Sequence, residues 1–114
     1  MPRTINEWQA DVWNLMEEKG FHDGRTNSRD DVLVRLALIH TEVSEATQEV
    51  KRNWVGEGSE QVRANTGREL GDAIVRILDL TGGLGLDTES ILEQIHAANA
   101  RRPHKYGTPD AASA

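Results

Sequence analysis

Cysteine is absent from this chain, which excludes disulfides and thiolate metal sites. Aromatics are scarce: three Trp, one Tyr and one Phe in 114 residues, few enough to be weighed one by one. No apolar run approaches the roughly 18 residues that read as a membrane span. The N-terminal MPRTINEWQ lacks the apolar core of a secretory signal. Basic residues form no stripe, and the net charge is −6. That balance speaks against gripping a nucleic-acid backbone, because nothing is arrayed to neutralise phosphates. A free nucleotide carrying its own Mg²⁺ is compatible with it. No alternating strand pattern is visible. These absences give the expectation of one small soluble, cytoplasmic domain, with neither nucleic-acid nor membrane partners. A core of this size gains from oligomerisation.

What is present is a pair of acidic motifs at helical spacing. Glu42-x-x-Glu45 lies in LIHTEVSEA, and Glu69-x-x-Asp72 lies in GRELGDAIVRILDL. Residues three apart share one helix face, with Cβ atoms roughly 5–6 Å from each other. Like charges so placed repel, so helix stability does not explain the arrangement, which occurs in the two most apolar segments. A lone pair of this kind is usually a solvated face. Here Glu42 lies between Ile39 and Val43, and Asp72 between Leu70 and Ala73, at the edges of apolar stripes. Four converging carboxylates form an all-oxygen donor set suited to Mg²⁺, with Mn²⁺ as the other hard ion it fits.

Four helices are expected, and hence an all-α fold. The first runs from about Ile5 to Lys19 and ends at Gly20, with Ile5, Trp8, Val12, Leu15 and Met16 close to a 3.6 period. The second starts at a Ser28 or Asp30 cap and reaches about Asn53. Its apolar set, from Val32 to Val50, is wider than one stripe. The third runs from near Ser59 to about Thr81, with Leu70, Ala73, Ile74, Ile77 and Leu78 inward, and is ended by Gly82-Gly83. Asp87 or Thr88 caps a fourth helix, with Ile91, Leu92 and Ile95 inward, which Pro103 stops. Helices two and three, packed as an antiparallel hairpin, bring the acidic pairs face to face. The surplus apolar surface of these two helices predicts at least a dimer. The domain is placed at residues 1–107, and 108–114 (small and polar) is expected to be a disordered tail.

LALIHTEVSEA, RELGDAIVRILDL and NARRPHKYG, in that order, resemble the MazG-like group of all-α nucleoside triphosphate pyrophosphohydrolases. That family's signature is E-x-x-E, a spacer, E-x-x-D, and an Asn/Arg/Lys segment after the last helix. The matching residues are Glu42, Glu45, Glu69 and Asp72, then Asn99, Arg102 and Lys105. The resemblance spans about Trp8 to Gly107. It implies a four-helix bundle completed as a homodimer or homotetramer. It also implies Mg²⁺-dependent hydrolysis of a nucleoside triphosphate, a dNTP or non-standard NTP, to the monophosphate and pyrophosphate. Metals on Glu42, Glu45, Glu69 and Asp72 would bridge phosphate oxygens and lower the pKa of a bound water. Some relatives carry one more acid before the first motif Glu, where this chain has Thr41. The proton acceptor is therefore sought among Glu42, Glu45 and Glu49.

The resemblance favours triphosphate contact by Asn99, Arg102 and Lys105. The plainer reading is favourable charge at a helix C-terminus. Trp54 is placed either against a nucleobase or as a packed helix cap. Trp8 is expected in the core, Phe21 and His22 are weaker base contacts, and His40 has a structural or outer role. Neighbouring pairs are expected between Glu49 and Arg52 and between Asp79 and Arg76. Glu93-x-x-His96 supplies only half of a carboxylate di-iron set, which needs two such pairs and two further Glu. The other alternative is a catalytically silent bundle that binds nucleotide or protein.

Overall fold

The computed structural model describes residues 2–103. His104, Lys105, Tyr106 and the tail 108–114 lie outside them. The fold is an all-α four-helix bundle, with no strand among the described residues: α1 (Ile5–Glu18), α2 (Arg29–Asn53), α3 (Glu60–Gly83) and α4 (Thr88–Ala100).

Each helix begins at a side-chain oxygen that accepts from an otherwise unpaired backbone N–H of the first turn. Thr4 forms a reciprocal capping box with Glu7, and Ser28, Ser59 and Asp87 cap the other three. α3 extends two residues past the expected stop, through Gly82 and Gly83. The reason is tertiary. α1 lies so close that a Cβ on Gly83 would come 2.9 Å from the Trp13 ring, and one on Gly82 would sit 3.4 Å from Gln9. The two glycines are the groove into which α1 packs. The turn falls instead at Gly85, in the left-handed region at φ 68°, where Leu86 N–H bonds back to Thr81 C=O at 3.0 Å.

α2 and α3 form the main packing unit and run antiparallel, since Glu42 meets Arg76 while Glu49 meets Asn65. α1 packs on α3. α4 is held to α1 largely by polar contacts. Asn6 and the α4 N-terminus exchange bonds through Asp87 and Glu89, and Gln9 joins Thr81, Leu86 and Thr88.

The buried apolar set is small: Val12, Ala46, Val62, Ala73, Leu78 and Leu80. Several expected core residues are exposed, namely Leu70, Ile74 and Ile77 on α3 and Ile91, Leu92 and Ile95 on α4. Leu80, off the expected stripe, is inside. Ala73 and Leu78 of the expected α3 stripe are buried, while Leu70, Ile74 and Ile77 face outward; α1 docks on the Gly82–Gly83 face. Trp8 is also corrected. It is 46% exposed, with Arg3 lying over its ring at 4.6 Å. The acidic partners change too. Asp79 pairs with His22 and Arg25 rather than Arg76, and Glu49 accepts from Asn53 and Asn65 rather than pairing with Arg52. Asp79 with His22 and Arg25, and Glu49 with Asn65, reach partners that are unavailable along an isolated helix.

Candidate metal centre

The hairpin of α2 and α3 brings the acidic motifs together. One carboxylate oxygen from each of Glu42, Glu69 and Asp72 lies within 4.8 Å of the others. Glu45 adjoins them. A hydrogen bond with Glu69, then the negative charges of Glu42 and Glu69, push its carboxyl above the ordinary glutamate value. Glu45 and Asp72 are exposed, and Glu69 is half-buried. Glu42 is 7% exposed, a buried carboxylate on α2. A buried charge is costly unless paired. Its partner is Arg76, whose Nε donates to Glu42 Oε1 at 2.7 Å. Arg76 lies one turn beyond Asp72, so its presence on the site face was legible in the spacing. Its partner across the groove was not.

The donor set fits a hard divalent cation. It consists of carboxylate oxygens, three of them close enough to share one ion, and a single guanidinium offsets the local negative charge. The raised Glu45 reflects the same excess. A proton relieves it, and so would a metal. His40 is exposed and is not among the clustered donors.

A groove of about 350 Å³ opens beside the cluster. Glu42, Asp72 and Arg76 line its acidic end, Leu38 and Val75 its middle, and Met16, Phe21, Arg35 and Asp79 the rest. At the Asp79 level the charges are matched. Asp79 Oδ1 faces His22 Nε2 at 2.8 Å, and Oδ2 accepts from Arg25 Nη1 at 2.7 Å. His22 stacks on Trp13 with ring centroids 3.8 Å apart, and its Nδ1 faces Glu17 at 2.5 Å.

The other expected site residues lie elsewhere. Asn99, in the last turn of α4, and Arg102 just after it are exposed and do not line the groove. Lys105 lies outside the described residues. Trp54 is half-buried beyond the end of α2. Its indole N–H donates to Gly56 C=O at 3.1 Å, and its ring presses on Gly58, where a Cβ would approach to 2.6 Å. Arg63 lies 5.9 Å from the ring centroid. This is the geometry of a packed cap on the helix end.

Comparison with known proteins returned no matching family model, no matching curated protein and no matching solved structure. No helix among the described residues is long and apolar enough to cross a membrane.

Proposed function

We propose that this chain is a divalent-metal-dependent nucleoside triphosphate pyrophosphohydrolase, as its resemblance to the MazG-like group implies, working in the cytoplasm with Mg²⁺ or Mn²⁺. The observation that carries the reading is the convergence of Glu42, Glu69 and Asp72 from two helices, with Glu45 against them, at the mouth of a groove. Buried Glu42 fixes the cluster to the hairpin, and Arg76 holds its orientation through Oε1. Glu42, Glu45, Glu69 and Asp72 would hold the metal. When bound, it would supply charge neutralisation for phosphate oxygens and a more acidic water. Glu45 is exposed to solvent, and Glu69 and Glu42 make its carboxylate a stronger base than an ordinary glutamate, which suits it to take a proton from the attacking water. Glu42, which is buried and paired, serves better as a ligand than as a base. Cleavage of the α–β anhydride then gives the monophosphate and pyrophosphate.

The triphosphate contacts assigned to Asn99, Arg102 and Lys105 require the segment after α4 to reach over a groove, of its own chain or of a second copy. Trp54 enters the reading only if its packed ring also borders bound nucleotide. A second copy is part of the proposal, since Leu33, Val34, Leu36, Ile74 and Ile95 all lie exposed. Analytical ultracentrifugation at micromolar concentration is expected to show a dimer or tetramer, and a clean monomer would remove that part.

One observation favours a second reading, a silent bundle that binds nucleotide or protein. The Glu42–Arg76 pair is complete without a metal. Pyrophosphate release from a panel of nucleoside triphosphates, with Mg²⁺ and with chelator, separates the two. Chelator-sensitive release supports the enzyme, and none from any nucleotide leaves the binding module. Bound iron in the purified protein would point instead to the di-iron alternative.

A further inference from the structure

The groove has a second end, and its composition differs from the first. Arg35, Leu38 and Glu42 lie on one face of α2 at i, i+3 and i+7, and Asp72, Val75 and Asp79 repeat that spacing on α3. At about 1.5 Å per residue, Arg35 and Asp79 stand roughly 10 Å along their helices from the acidic cluster. The side chain of Arg35 is directed away from that cluster. Helical side chains lean toward the N-terminus of their helix. Hydrogen bonds from Thr26 and, in smaller part, the charge of Arg35 hold the Asp31 carboxyl, one turn earlier, below its ordinary value. Arg35 is thus poorly placed to reach phosphates held at the carboxylates.

Arg35 carries an unexplained donor. Its Nε is buried and has no hydrogen-bond partner among the described residues. Such orphans are rare in native interiors, and an acceptor in the groove that Arg35 lines would satisfy this one once the side chain turns toward it. Asp79 does not fill that role, since its oxygens already face His22 and Arg25. Apart from Asp79, the lining around Arg35 is apolar. Met16, Leu38 and Val75 contribute to the walls, and Phe21, 65% exposed, stands at the rim with its ring available for stacking.

Apolar walls, one aromatic face and a guanidinium edge suit a planar heterocycle that presents an acceptor. We propose that this end of the groove receives the nucleobase of the substrate and that Arg35 selects bases carrying a carbonyl oxygen, guanine foremost. Guanine offers O6 and N7 side by side, the pair that an arginine fork meets with two bonds. Adenine presents an amino donor where guanine has O6, and a guanidinium has no acceptor for it. The inference rests on the pyrophosphohydrolase reading only for the name of the substrate. A base pocket can serve a silent nucleotide-binding module equally well.

The test compares nucleotides on the full chain. In the wild type, kcat/KM for GTP with Mg²⁺ is expected to exceed that for ATP. In Arg35→Met the GTP-to-ATP ratio should fall about tenfold or more, carried by KM. Arg35→Lys should recover part of the ratio by keeping a donor. Phe21→Ala, at an exposed position, should weaken both nucleotides by similar factors and leave the ratio standing. Equal losses on GTP and ATP in Arg35→Met, or no loss on either, would overturn the assignment. A wild type that hydrolyses no nucleotide would count against the enzyme and not against the pocket. Binding of GMP and AMP without metal, followed by tryptophan fluorescence, then decides. GMP bound in preference to AMP, with the preference lost in Arg35→Met, sustains the pocket, and equal or absent binding of the two overturns it.

Discussion

Asp72 and Asp79 sit two turns apart on the same face of α3, line the same groove, and have opposite surroundings. Asp79 is met by a guanidinium and an imidazole. Arg25 and His22 each engage one of its oxygens, and their side chains are 6% exposed. Asp72 is met by other acids, Glu42 and Glu69, with Glu45 beside them. Along the chain only the Glu69-x-x-Asp72 spacing sets Asp72 apart, and Asp79 reads as a partner of Arg76. In the fold Asp79 closes a charge-matched clasp joining α3 to the loop after α1. Asp72 belongs to a cluster whose negative charge is offset only in part, by Arg76 on Glu42. Matched charge supports the fold. Unmatched charge, held in place by a buried member, is what a cation site requires before its ion arrives.

The contrast between the two acids has its largest consequence at Asp72. Asp72→Asn is expected to lower kcat/KM for nucleoside triphosphate by roughly a thousandfold or more, since metal-borne charge stabilisation is worth several kcal/mol and each 1.36 kcal/mol is tenfold. Its apo form should melt no earlier than wild type, because one repelling charge is gone. Early melting would move Asp72 to the structural side with Asp79.

The next effect is on stability at the other end. Asp79→Asn leaves Arg25 and His22 buried without their carboxylate, and breaking a buried pair in this way costs about 3–5 kcal/mol. Urea unfolding of the metal-free protein measures it. A change below about 1 kcal/mol would mean that the clasp is not what holds the loop to α3.

The smallest effect is a pH dependence. Glu45 binds its proton more tightly in the folded chain than in the unfolded one, because of Glu69 and the adjoining charges. Its favourable contribution is therefore fully present below the ordinary value of 4.5 and is lost as pH rises through the elevated folded value. Glu7, Asp31 and Asp87 run the other way. Thr4, Thr26 and Asn6 respectively hold them below their ordinary values, so their contribution is lost as pH falls. Melting curves of wild type and Glu45→Gln, recorded from pH 4.5 upward without metal, should diverge as pH rises, with wild type the less stable. Mg²⁺ should reduce the divergence. Parallel curves would detach Glu45 from the cluster.

Much of this molecule was legible in its residues. The periodicity marked four helices. Ser28, Ser59 and Asp87 stood where first-turn N–H groups need an acceptor, and the two acidic pairs identified the faces of α2 and α3 that meet. These are local properties, set by helix geometry and by the chemistry of a few side chains within a turn. What covers each apolar face was not local. The stripe of Leu70, Ile74 and Ile77 shows that a face is apolar but not which neighbour packs on it, and α1 took the Gly82–Gly83 face instead. Trp8 followed the helical period and still lies at the surface, because no other helix among the described residues covers it. The partners of Asp79 and Glu42 were settled only when three segments docked. A charge pairs with the nearest opposite charge in space, and along an isolated helix the nearest candidates were the wrong ones. Periodicity and local chemistry marked the four helices and the acidic motifs, and narrowed the caps of α2 and α4 to two candidates each. The tertiary structure alone decided which acids are neutralised and which are left facing one another, because that depends on distances across the groove.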